Sequence, residues 1–114
     1  AQVTTVVNDR DVSIERIMSF TPASSSMDTS LYRLIQTKTG ERFPGSTTIP
    51  GVSTGFTDSH FFRDIGIQSY GFSPTVLAEN EGAGVHGNDE RISVATLTKG
   101  TAFMVDLVQS FATD

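Results

Sequence analysis

The sequence contains no cysteine. Disulfides and thiolate metal sites are thereby excluded, so any metal site must be built from His, Asp or Glu. Only two histidines are present, and no G-x-S-x-G elbow occurs. A Ser-His-Asp hydrolase site therefore has little to draw on. A phosphate-cradling glycine loop and a dinucleotide fingerprint are both missing. No apolar run approaches the roughly 20 residues of a membrane span, and no signal peptide opens the chain. The chain opens on Ala1 rather than Met, as expected of a processed product or an excised piece. Charge is sparse as well, at 18% of residues against about 25% in ordinary soluble domains. The eight Lys and Arg are scattered, and the formal net charge is −5. Nucleic acids and anionic membranes attract clustered Lys and Arg, so neither is an expected partner.

The 114 residues suggest one domain or part of one. Hydrophobic residues make up 37% of the chain, and the ten glycines and four prolines fall mostly between the apolar runs. The β-branched run Gln2 to Val7 reads as a strand. Val12 to Phe20 fits a second extended run or a short helix. Thr21 to Met27 is a loop by composition. Asp28 is a candidate N-cap for a helix whose inner face is Leu31, Leu34, Ile35 and Lys38, with Gly40 as a stop and Pro44 beyond it. Ser46 to Ile49 reads as a strand. Thr57 or Asp58 then caps a short helix with Phe61 and Ile65 one turn apart, which Gly66 ends. Ile67 to Phe72 is a further strand. A glycine-rich loop, Glu79 to Glu90, leads to a last helix capped by Ser93, with the stripe Leu97, Thr101, Met104, Val105, Val108 and Ala112 facing a core. This alternation predicts an α/β fold: a partial, mainly parallel sheet with flanking helices, too short in strands to be a complete doubly wound domain.

Two loops are candidates for chemistry, since α/β sheets bind ligands at the carboxyl ends of their strands. In the second loop, His86 lies between Gly84 and Gly87, and glycine lets backbone pass close to a ligand. An imidazole there could bind zinc, with Asp89 or Glu90 steadying its other nitrogen. On spacing alone a solvated histidine beside an acidic turn is the better reading. In the first loop, Thr57 and Asp58 stand at a helix start, where a hydroxyl and free N–H groups could hold a substrate carboxylate. Plain N-capping is favoured there on the residues alone. His60 reads as a solvent-facing helix residue, Arg63 as a surface residue with a lesser option on a substrate carboxylate, and Arg91 as a salt-bridge partner. The pair Phe61-Phe62 reads as core.

Taken together, the two loops carry a resemblance. Phe56-Thr57-Asp58-Ser59-His60-Phe61-Phe62-Arg63-Asp64-Ile65-Gly66-Ile67 is similar to the G-x-T-D-x-r-x-x-r-x-x-G-I/V-P segment of the M20 zinc metallopeptidases. Ser69-Tyr70-Gly71-Phe72-Ser73-Pro74 resembles the a-x-G-F-x-P strand that follows it. Val85-His86-Gly87-Asn88-Asp89-Glu90-Arg91-Ile92 resembles the x-H-x-x-D-E-r-i element, and the helix from Ser93 resembles the family's final helix. The three motifs occur in the family's order and spacing. They cover Pro44 to the end well and the stretch before it loosely, through the helix near Asp28. Aminoacylase-1, related N-acyl amino acid hydrolases and carboxypeptidases belong to this family.

The resemblance implies that His86 is the last zinc ligand of a two-zinc site. It further implies that Thr57 lies beside the substrate carboxylate, that Gly55 permits close backbone approach to it, and that Asp89 and Glu90 support the His86 loop without binding metal. Residues 1–20 would return from an inserted lid or dimerisation domain absent here, and residues 21–114 would form the C-terminal part of the catalytic domain. The substrate would be a peptide or an N-acyl amino acid, and a homodimer of the full-length protein is compatible with the family. Two departures stand out. Gln68 occupies a position where the family often has proline. The upstream His-x-Asp ligands, the bridging Asp and the catalytic Glu with its neighbour have no counterparts, so they would come from an N-terminal part of the same protein and the chain alone should be inactive. Two alternatives stay open: a non-catalytic α/β module that binds a carboxylate without metal, and a structural remnant.

Overall fold

A computed structural model describes residues 2–53, 55–82 and 84–113. Five helices occur along it: α1 (Gln2–Val7), α2 (Ser30–Arg42), α3 (Ser59–Asp64), α4 (Glu79–Gly82) and α5 (Val94–Thr113). No strand occurs among the described residues, so the expected α/β sheet is corrected to an all-helical arrangement. The physical reason is pairing. A strand satisfies its backbone only against a neighbouring strand. Residues 46–49 and 67–72 find no such ladder and run as irregular connections. The β-branched run Gln2–Val7 instead turns helical, which lets it bond its own backbone. It ends at Asn8, whose N–H reaches the Thr4 carbonyl at 3.0 Å and whose φ is 42°, a conformation that asparagine tolerates better than most residues.

The core is the seam between α2 and α5. Ile35 of α2 is buried with Phe103 and Leu107 of α5, and Leu31, Leu34, Phe43, Tyr70 and Phe72 pack around them. Tyr32 is also buried. Lys38, on the same face of α2, holds Asp106 of α5 at 3.0 Å. The N-cap of α2 is Thr29, not Asp28: the Thr29 hydroxyl accepts from the Tyr32 N–H at 3.0 Å, while Asp28 pairs with Arg33 at the surface. Gly40 does not stop α2. A mid-helix glycine costs only about 1 kcal/mol, so the helix runs on to Arg42, and Pro44 forces the end because it cannot continue the hydrogen-bond pattern. Gly66 behaves as expected. At φ 82° it donates to the Arg63 carbonyl while Ile67 reaches back to Phe62, so both carbonyls of the last turn of α3 are satisfied.

Helix α5 is capped as anticipated, with the Thr96 N–H on the Ser93 hydroxyl at 3.1 Å. Its inner face is not the expected stripe. Gly100, Phe103 and Leu107 are buried, while Leu97, Val105 and Val108 are about half exposed. The helix is turned by roughly a third of a turn from the sequence expectation, at 100° per residue. Apolar residues lie on most of its sides, so periodicity alone cannot choose the face. Close packing chooses it: a Cβ on Gly100 would lie 2.6 Å from the Thr75 methyl. The pair Phe61-Phe62 also leaves the core and is half exposed. The radius of gyration is 18.8 Å, against about 13 Å for a compact chain of this size. The four buried hydrophobic residues among those described thus hold together a chain that is far from closed.

Gly100→Ala should destabilise the protein by about 1–3 kcal/mol through the Thr75 clash, although alanine is otherwise the better helix former by about 1 kcal/mol. In a Thr75→Ala background the same change should be neutral or stabilising. Urea midpoints of the parent, both single variants and the double variant check this, and equal losses in the two backgrounds would remove the Thr75 contact as the cause.

Candidate functional site

The His86 loop is built from its two ends inward. At its base, Glu81 in α4 is 6% exposed. Its carboxylate accepts from the Ala78 N–H at 2.8 Å, from the Ser93 N–H at 2.5 Å and from the Thr96 hydroxyl at 3.5 Å. Above that base the two limbs touch, because a Cβ on Gly84 would lie 3.0 Å from the Asp89 carbonyl oxygen and 3.3 Å from the Glu90 Cα. At the tip, the Gly87 N–H donates to the Gly84 carbonyl at 2.8 Å. His86 sits inside this turn at φ 60°, a left-handed conformation that costs a non-glycine residue about 1–2 kcal/mol. Its side chain is exposed. Asp89 and Glu90 are exposed too, and among the described residues neither carboxylate bonds to His86; what they lend the loop is backbone packing against Gly84.

Glu81 escaped the sequence reading, since its partner Ser93 lies twelve positions away and no local motif joins an acid to a cap at that spacing. The bonds from Ala78 and then Ser93 hold the Glu81 carboxyl below its ordinary value, outweighing its burial.

The other loop centres on Gly55 and Thr57. The Gly55 N–H donates to the Ser53 hydroxyl at 3.2 Å. The Thr57 and Asp58 carbonyls accept from the His60 and Phe61 N–H groups. Asp58 stands at the N-cap of α3, yet its side chain caps nothing. Phe56 stacks on Phe20 with centroids 4.6 Å apart, and His60 and Phe61 complete the aromatic group. His60 is therefore not solvent-facing: its side chain is 15% exposed and its Nε2 lies 3.0 Å from the Asp64 carboxylate.

Arg63 also leaves its expected surface position. It donates through Nε to the Ser25 hydroxyl at 3.1 Å and through Nη2 to the Ser69 carbonyl at 2.7 Å. Ser25 further bonds both the carbonyl and the N–H of Ser69. These two donors are spent on the chain itself and tie Arg63 to Ser25 and Ser69. Arg91 makes no ion pair among the described residues. No hydrogen bond, ring contact or ion pair joins the Gly55–Thr57 loop to the His86 loop among them either.

A family model for peptidase family M20/M25/M40 matches residues 2–110. The chain belongs to this family. An N-fatty-acyl-amino acid synthase/hydrolase of Xenopus tropicalis is 34% identical over 98% of this chain and 22% of its own length. The human protein of the same description is 32% identical over 96% of this chain and 22% of its own. A carboxypeptidase S-like protein of Dictyostelium discoideum is 26% identical over 95% and 21%. This M20 chain thus spans about a fifth of the length of the curated relatives it matches. No solved structure matches it.

M20 peptidases are generally metal-dependent, and the donors of this chain can be weighed against that. No group of three or more His, Asp and Glu able to hold a metal occurs among the described residues. A zinc site takes three or four protein ligands, so the chain does not fit as a whole site. His86 fits as a single ligand: its imidazole is exposed, makes no hydrogen bond among the described residues, and sits on a constrained loop between two glycines. No helix among the described residues is long and apolar enough to cross a membrane.

Because the Glu81 carboxyl is held below its ordinary value, it stabilises the fold above about pH 4.5, its ordinary value, and that contribution is lost as pH falls through the lowered one. The stability gap between the parent and Glu81→Gln should therefore be widest near neutral pH and close on acidification. Urea midpoints of both proteins at pH 7 and pH 3.5 read this out; a gap that is constant with pH would mean that the charge of Glu81 contributes nothing.

Proposed function

We propose that this chain is the C-terminal part of the catalytic domain of a zinc-dependent amide hydrolase that acts on N-acyl amino acids or on peptides with a free carboxyl end. The observation that carries the reading is His86: an exposed imidazole on a constrained turn between Gly84 and Gly87, within a chain that matches the M20 family nearly end to end. Two relatives described as N-fatty-acyl-amino acid synthase/hydrolases favour the N-acyl amino acid as substrate class.

In this reading His86 supplies one imidazole nitrogen to a two-zinc site. A zinc ion held there would supply an acidified water as the nucleophile at physiological pH. The remaining ligands and the glutamate that moves the proton lie on other parts of the polypeptide. Gly55 lets backbone approach the substrate carboxylate closely, and Thr57 offers it an exposed hydroxyl. Phe56 and Phe61 beside that loop present apolar surface. Asp89 and Glu90 keep the His86 loop in shape through their backbone. Residues 1–20 form the return from an inserted lid or dimerisation domain; in support, every described residue before Phe20 is exposed, whereas the Phe20 ring stacks on Phe56. With one metal ligand of its own, the isolated chain is inactive, and any homodimer belongs to the full-length protein.

In the full-length protein, zinc content of about two ions per chain and hydrolysis of N-acyl amino acids lost on chelation are expected. His86→Ala should lower zinc retention by at least tenfold and abolish turnover. Elemental analysis, chelator competition and amide hydrolysis measure these. Unchanged zinc binding and turnover in His86→Ala would reject the ligand role and turn attention to a metal-free carboxylate-binding module.

A further inference from the structure

We infer that Glu81 is a positioning residue for His86: its carboxylate clasps the base of the loop and thereby fixes the direction in which the imidazole is presented. The inference deepens the metal-ligand reading of His86 and rests on it for its functional consequence.

Glu81 lies in the last turn of α4, and the loop that follows Gly82 ends at Ser93. A single carboxylate bridges those ends, with one oxygen on the Ser93 N–H at 2.5 Å and the other on the Ala78 N–H at 2.8 Å. The second oxygen also faces the Thr96 hydroxyl in the first turn of α5 at 3.5 Å. One buried side chain therefore ties together the segment before α4, the end of the loop and the start of the longest helix. Bonds from N–H groups to an ionised acceptor are about twice as strong as neutral ones, and a buried acceptor gives up little by forming them.

The next contacts up the loop depend on this closure. Gly84 touches the backbone of Asp89 and Glu90 only if the two limbs converge. At the tip the Gly87 N–H closes a local turn on the Gly84 carbonyl, so Gly84 anchors both that turn and the contact between the limbs. His86 stands at the apex of these nested closures, in a left-handed conformation that the surroundings must impose. A loop with unpinned ends regains chain entropy and many backbone states, and a ligand on it would meet the metal in only a fraction of them. Capping α5 does not by itself call for Glu81, because the Ser93 hydroxyl already takes the Thr96 N–H.

The test uses the full-length protein with Glu81→Gln and Glu81→Asp. The first keeps the size and replaces one acceptor oxygen by a donor that faces an N–H; the second keeps the charge and shortens the reach. Amide exchange followed peptide by peptide, without added metal, should show residues 84–92 losing protection by tenfold or more, while 31–40 in α2 and 98–110 in α5 stay as in the parent. Zinc affinity by chelator competition should fall about 10- to 100-fold, and the Glu81 change should add nothing further in a His86→Ala background. Unchanged exchange over 84–92, or exchange raised equally in α2 and α5, would overturn the positioning role and leave Glu81 as a general stabiliser. An equal zinc loss with and without His86 would overturn it as well. If exchange in the loop rises but His86→Ala leaves zinc affinity untouched, the clasp stands and the ligand reading of His86 fails.

Discussion

The packing of α2 on α5 is the constraint on which the rest of this structure hangs. Among the described residues no other pair of helices makes an appreciable contact, and the buried cluster is Ile35 against Phe103 and Leu107. Burial of three side chains of this size contributes on the order of 1.5–3 kcal/mol each. Everything else is positioned by reference to that seam. Tyr70 and Phe72 lay the segment after α3 over it, Gly100 admits Thr75 against α5, and Lys38 reaches across to Asp106. The His86 loop runs directly into α5, one side of this seam, whereas the Gly55–Thr57 loop adjoins α3, which does not pack on it.

A seam so small cannot orient the loops by apolar contact alone, and polar groups do that instead. Ser25, Arg63 and Ser69 form one knot, to which Ser59 is tied through the Ser69 hydroxyl. Tyr70 extends it with bonds to Thr29 and to the Ser26 carbonyl. The knot fixes α3, and with it Thr57 and Gly55, to the start of α2. Glu81 plays the equivalent part for His86. In both places a charged side chain is spent on backbone groups. Such bonds are directional, and they set loop geometry more sharply than apolar packing does.

What could be read from the sequence follows from the range of the interactions involved. The Ser93 cap and the Gly66 stop are local rules acting within one turn, and both hold. The inner face of α2 was legible for the same reason, since Leu31, Leu34 and Ile35 repeat at helical spacing. Strands were not legible, because Ser46 to Ile49 and Ile67 to Phe72 carry the composition of strands, whereas pairing depends on a neighbour that composition does not name. The face of α5 was misread because its apolar residues surround the axis and the deciding residue is a glycine that carries no hydrophobic signal. At the site, the motif around His86 was legible residue by residue. Glu81 and Arg63 were not, since their partners Ser93 and Ser25 lie 12 and 38 positions away.

These facts bear on how the chemistry is divided within an M20 protein. A lone imidazole has low affinity for zinc, and no group of three or more His, Asp and Glu able to hold a metal occurs among the described residues. Under the proposed function, the contribution of this chain to catalysis would be geometric rather than reactive: it would present one nitrogen and one hydroxyl at set positions, with acid–base work supplied by other parts of the protein. A geometric contribution is only as good as the supports behind it, because a ligand misplaced by about 1 Å can cost a hundredfold in rate. Under the same reading, substitutions at Glu81 and Arg63 should act on function through the loops these side chains hold in place. Exposed charges such as Asp28 and Arg33, paired only with each other at the surface, have no such leverage.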